Sequence, residues 1–158
     1  MTKIVPMKAI LKEIKDKNDR ELALGDAGEL LLQAVLDHVG GGKSPVSGGR
    51  YKKSLSKDYK KQKKKLSSSS IANMELSGDM LDSLDYQINT KTQSIEIGYF
   101  EDAGSDNIGK ADNHNKFTSE SKRTKNPYRQ HIPRKNERFT KKIMKDIFNL
   151  AGEYASED

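Results

Sequence analysis

Residues 76–99 read LSGDMLDSLDYQINTKTQSIEIGY, and two different periodicities follow one another inside this stretch. Met80, Leu81 and Leu84 have the spacing of one short helical face, with Ser77 or Asp79 placed to cap it. Asp85-Tyr86-Gln87-Ile88-Asn89 and Ser94-Ile95-Glu96-Ile97-Gly98-Tyr99 then alternate apolar with polar residues, the period of half-buried strands. The short polar link between them predicts an antiparallel hairpin. Helix running into hairpin predicts an α+β fold, with helices packed on a small antiparallel sheet and long polar loops.

Working outward, residues 20–39 place Leu24, Ala27, Leu31, Val35 and Val39 on one helical stripe, and Gly40, Gly41 and Gly42 end it. Leu30, Leu32 and Leu36 widen that stripe. This fits either a helix sunk deeply in its own core or a second face that meets another subunit. Ile10 and Ile14 mark a shorter helix upstream. Residues 43–56 mix Pro, Gly and Ser and predict an extended surface loop, followed by a short exposed helix over 57–66 and a flexible SSSS joint at 67–70. Residues 101–131 are polar, with Ile108, Phe117 and Tyr128 as their apolar anchors, and predict a mobile arm dispensable for folding. A final helix is expected after Ile132-Pro133-Arg134, with Phe139, Ile143, Ile147, Leu150 and Tyr154 on one face.

The 158 residues leave room for one domain, 1–158, carrying the loop 43–70 and the arm 101–131. Hydrophobic residues make up 33%, and mean hydropathy is -0.88, so the private core is expected to be small. Cys is absent, which removes disulfide scaffolds, thiolate zinc sites and thiol nucleophiles. No segment approaches the roughly 20 apolar residues that cross a bilayer, so a soluble product made in the cytoplasm is expected, with no membrane partner.

Residue patterns that carry chemistry are weak. His38, His114 and His131 fall on different predicted elements and lack the i, i+4 pairing of a helical zinc site. The glycine clusters lack Walker and dinucleotide spacing and read as turns. Asp79 and Asp82 are three apart, which a cap plus an exposed carboxylate explains. Ser77 beside Gly78 is no nucleophile elbow. No catalytic residue, metal or cofactor is expected, and the chain reads as a non-enzyme.

Charge is the strongest feature. The net charge is +6 with a pI near 9.3. The densest run holds Arg50, Lys52, Lys53, Lys57, Lys60, Lys61, Lys63, Lys64 and Lys65, the candidate contacts for DNA or an acidic surface. Such lysines would hold phosphates without reading sequence, and a solvated basic face accounts for the same run.

Four strings in order resemble the neck and tail-completion proteins of tailed bacteriophages, close to the Mu-type virion morphogenesis proteins. They are Ser44-Pro45 to Gly48-Gly49-Arg50-Tyr51 with Leu55-Ser56, Tyr59 and Lys63; Leu76 to Leu84; Ile95 to Gly98 with Ala111 to His114 and Phe117; and Ile132-Pro133-Arg134 with Phe139. Together they span residues 44–139. The chain departs from the family in a polar insertion at 101–110 and in SESKRTKNPYRQH at 119–131. The resemblance implies a small α+β structural subunit without enzymatic activity. It would close as a homo-oligomeric ring between portal or adaptor proteins and the tail, at the neck of the virion, near packaged DNA. Leu30, Leu32, Leu36, Phe117, Tyr128 and Arg134 are the candidate inter-subunit contacts. A free basic nucleic-acid-binding protein is the alternative.

Overall fold

The computed structural model describes residues 1–51, 78–115 and 130–156. Among them the elements run β1 (Thr2–Pro6), α1 (Lys8–Leu11), α2 (Lys17–Gly40), α3 (Gly78–Asp82), β2 (Asp85–Asn89), β3 (Ser94–Gly98), a 3-10 turn (Glu101–Ala103), α4 (Ser105–Asn115) and α5 (Lys141–Ser156). The fold is α+β: a three-stranded antiparallel sheet in the order β1-β3-β2, packed against helices.

The hairpin falls where the alternation placed it. β2 pairs with β3 in the register Asp85 to Gly98 and Asn89 to Ser94. β3 is the central strand rather than half of an isolated ribbon, because β1 pairs along its other side from Thr2 opposite Gly98 to Pro6 opposite Ser94. Ile95 and Ile97 are consequently fully buried, alongside Val5. Gly98 has φ of 150°, and a Cβ there would lie 2.3 Å from the Met1 carbonyl oxygen, so the close approach of the N-terminus needs glycine at this position.

α2 is the longest described element. Asp16 caps it by accepting from the Asp19 N–H at 3.0 Å, and beyond its last turn Gly42 takes the left-handed conformation at φ 74°. Its inner stripe, Leu24, Ala27, Leu31, Val35 and Val39, is buried as the spacing predicts. Gly28 lets α2 lie directly on the sheet, because a Cβ at that position would sit 2.5 Å from two ring carbons of Tyr86 on β2. α5 packs along α2 through Ile143, Ile147 and Ala151, and the Tyr154 hydroxyl donates to the Asp26 carboxylate.

Three expectations are corrected. The final helix begins at Lys141, not directly after Arg134: Thr140 caps it by accepting from the Ile143 N–H at 3.3 Å, and buried Phe139 precedes the helix. The first part of the loop 43–70 is a tight turn, not an extended surface loop. Lys43 and Arg50 form an antiparallel bridge, and the Ser44 hydroxyl accepts from the N–H groups of Val46 and Ser47. The arm 101–131 is ordered at both ends, by the 3-10 turn and α4 on one side and by buried Gln130 and His131 on the other. Its removal is expected to unfold the chain rather than spare it. The predicted helix over 57–66, the SSSS joint and the middle of the arm lie outside the described residues.

Gln130, His131 and Ile132 form a buried segment outside the helices and the sheet, so side chains must satisfy its backbone. The Asn115 Oδ1 accepts from the His131 N–H at 2.7 Å and from the Ile132 N–H at 2.8 Å. Its amide nitrogen donates back to the Ala111 carbonyl at 2.8 Å. Ser44 and Tyr51 donate to the Gln130 carbonyl at 3.0 and 3.4 Å. Leaving a buried donor unsatisfied costs about 1–3 kcal/mol, and two donors are involved, so Asn115→Ala is expected to remove about 2–5 kcal/mol in urea unfolding. Gly28→Val, by driving a branched side chain into the Tyr86 ring, is expected to remove about 1–3 kcal/mol in the same assay. Wild-type midpoints in either variant would contradict these packings.

Candidate functional site

Those of the proposed contact residues that fall among the described residues do not gather into one site. Of the basic run, Arg50 lies within the described residues, exposed at the end of the bridged turn; Lys52, Lys53, Lys57, Lys60, Lys61, Lys63, Lys64 and Lys65 lie outside them, as do Phe117 and Tyr128. Leu30, Leu32 and Leu36 are half-buried and pack against the chain's own core. Arg134 is exposed and sits 3.8 Å from the Glu137 carboxylate. The sequence nevertheless divides its charge sharply. Residues 52–77 hold eight lysines against two carboxylates, and residues 116–129 hold five basic residues against one. The described residues carry 16 basic against 18 acidic groups, so the chain's positive charge comes from those two segments.

The buried Tyr99 and His131 resemble a catalytic pair, with the hydroxyl 2.8 Å from Nε2 and the rings edge to face. Both are at most 1% exposed, so no substrate reaches them. Burial, and secondarily Tyr51, pushes the Tyr99 phenol well above its usual range, which keeps it protonated. The pair is a satisfied core contact. His38 points its Nδ1 at the Ala34 carbonyl, 2.9 Å away within its own helix. Among the described residues no group of three or more His, Asp or Glu side chains is placed to hold a metal ion.

A different feature emerges at the β1 edge of the sheet. A groove of about 1200 Å³ runs between β1 and α5, lined by Lys3, Ile4, Val5 and Pro6 on one wall and by residues 135–149 on the other. Its apolar part is formed by Ile4, Val5, Phe139, Met144 and Phe148, and Lys135, Arg138, Lys141 and Lys145 stand around it. The Lys3 ammonium spans the two walls, donating to the carbonyls of Arg134 and Lys135 at 2.9 and 3.1 Å. Glu137, the acidic group in the lining, accepts from Gln130 at 2.6 Å and from the Arg134 N–H at 3.0 Å. The groove was not legible because it depends on β1, a strand that sequence periodicity did not announce.

The opposite edge has another character. β2 carries exposed Asp85 and Ile88, and an open depression lined by Gln87, Phe100, Glu101 and Asp102 adjoins it. The two sides of the sheet therefore differ in charge, one basic and one acidic.

Comparison of the chain with protein-family models, with curated proteins and with solved structures gives no match. Among the described residues no helix is long and apolar enough to cross a membrane.

Burial by itself would raise the Glu137 carboxyl, but donation from Gln130 and Arg134 and the charges of Arg134 and Lys3 outweigh it, so it titrates below its ordinary range. A carboxyl held lower in the folded than in the unfolded chain contributes stability above the unfolded pKa. That contribution disappears as pH falls through the folded one. Wild-type stability is therefore expected to decline more steeply below about pH 4.5 than that of Glu137→Gln. Parallel pH profiles would show that the turn holding the groove wall does not depend on this carboxylate.

Proposed function

We propose that this chain is a structural subunit of the head-to-tail connector of a tailed bacteriophage, a neck or tail-completion protein that assembles as a homo-oligomeric ring at the virion's neck. The observation that supports this most is the unlikeness of the two sides of the sheet. A head-to-tail ring needs two different surfaces per subunit, because each copy presents one face to the copy before it and another to the copy after it. A basic β1 side and an acidic β2 side meet that requirement. The α+β class agrees with what the four ordered strings imply. Portal or adaptor proteins on one side and tail proteins on the other would be its partners, with the lysines of 52–65 near packaged DNA and no catalytic step.

A free nucleic-acid-binding protein is the second reading, favoured by the eight lysines between residues 52 and 77. The two readings separate on the isolated chain. Free binding requires tight association with duplex or single strands that weakens steeply with added salt, whereas a connector subunit binds weakly until repeated around a ring.

Phage particles made without this chain are expected to accumulate as DNA-filled heads and unattached tails, seen by negative-stain electron microscopy. Complete, infectious particles in its absence would contradict the proposal.

A further inference from the structure

The hydrogen-bond phase of the sheet shows which backbone groups of β1 are unused by it. The Met7 N–H donates to the Gln93 carbonyl at 2.9 Å, and the Tyr99 N–H donates to the Met1 carbonyl at 2.8 Å. With Thr2 opposite Gly98 and Pro6 opposite Ser94, the antiparallel alternation assigns Lys3 and Val5 to the bonded pairs. The N–H groups of Thr2 and Ile4 and the carbonyls of Thr2, Ile4 and Pro6 therefore point away from β3, toward the sheet's edge. Pro6 has no N–H to present, which is why a proline is tolerated there. Among the described residues no strand covers this edge, and Ile4 leaves 58% of its surface exposed.

α5 faces β1 across the groove. Met144 and Phe148 of α5 are half-buried beside Val5 and line the groove with it. An added strand about 4.8 Å from β1 would meet a backbone ladder on one side and an apolar wall above. Its side chains would also meet Lys135, Arg138, Lys141 and Lys145, while Glu137 is already held by Gln130 and Arg134.

We infer that the groove between β1 and α5 is a strand-addition site for an extended, acidic segment of another protein with apolar residues at alternate positions. Three features exclude the competing occupants. A second copy's β1 would bring its own lysine rim against this one. A second copy's β2 carries α2 stacked on it through Gly28 and Tyr86, and helices pack about 8–10 Å apart, so α2 and α5 cannot both cover one added strand. Nucleic acid would set phosphates against outward backbone carbonyls and an apolar wall. The inference stands on the groove and does not require the ring reading.

The test uses the intact chain and two blocked peptides, Asp-Val-Glu-Val-Asp-Val-Glu and Lys-Val-Lys-Val-Lys-Val-Lys, followed by NMR. The acidic peptide is expected to shift the amide signals of Thr2 and Ile4 and the side-chain signals of Met144 and Phe148, and the basic peptide is not. Ile4→Pro removes an outward N–H while sparing the bonds to β3, and is expected to weaken binding about tenfold, the scale of one backbone hydrogen bond. Slow exchange retained at the Ile95 and Ile97 amides, which pair with Val5 and Lys3, would verify that its sheet survives. Lys141→Glu with Lys145→Glu, both at exposed positions, is expected to reverse the preference between peptides. The inference is overturned if the acidic peptide shifts none of these signals at millimolar concentration. It is also overturned if both peptides bind alike, if Ile4→Pro binds as wild type does, if a DNA duplex produces the same shifts, or if self-association protects the Thr2 and Ile4 amides from exchange as strand pairing between copies would. Loss of ring assembly with peptide binding intact would count against the connector proposal alone.

Discussion

One carboxamide holds together parts of the chain that are far apart in sequence. Asn115 accepts the N–H groups of both His131 and Ile132 and anchors itself to its own helix through Ala111. A segment buried outside helix and strand is otherwise unfavourable, since each unmet backbone donor loses its water without gaining a partner. Around that segment Ser44 and Tyr51 bring in the turn after α2, and Tyr99 brings in the end of β3 through its contact with His131. Polar side chains thereby supply the cross-links that a small apolar core does not. Such a network specifies one arrangement because each member has a stated partner.

The groove follows from this clamp. Fixing Gln130 to Ile132 fixes where the Arg134 to Glu137 turn emerges, and the Lys3 ammonium then ties that turn to β1 by its carbonyls. Thr140, donating its N–H to the Pro45 carbonyl at 2.9 Å, sets the start of α5. α5 is thus placed beside α2 and across the groove from β1, with Met144 and Phe148 facing an edge that no strand covers among the described residues. The exposed edge is a product of the packing, and edges of this kind attract strands unless they are blunted. On the other side of the sheet, β2 is partly blunted, because the Tyr86 N–H is taken by the Asp85 carboxylate at 2.8 Å.

What the sequence disclosed depended on whether burial left a periodic trace. α2, the hairpin and the buried face of α5 were legible, because Leu24 to Val39 and Ile143 to Ile147 repeat at helical spacing and Tyr86 to Ile97 alternates. β1 was not, since Val5 is the one residue of Thr2–Pro6 buried in full, and Ile4 beside it faces outward. α4 was hidden for a similar reason: in SDNIGKADNHN, Ala111 and Asn115 are the buried residues, and the second acts through hydrogen bonds rather than hydrophobicity. Phe139 misled in the opposite sense, lying four residues before Ile143 yet outside the helix that Thr140 begins. Of the site, composition showed the basic run, but the groove needed tertiary structure, because its walls come from residues 3–6 and 135–149.

Amide hydrogen exchange on the intact, unliganded chain reads the clamp and the open edge together. The His131 and Ile132 amides are expected to exchange only through global unfolding, while the Ile4 amide exchanges on the timescale of exposed backbone. Rapid exchange at His131 and Ile132 would mean that Asn115 does not hold the segment that builds the groove. Ile4 protection equal to that of Val5 would mean that the edge is already covered.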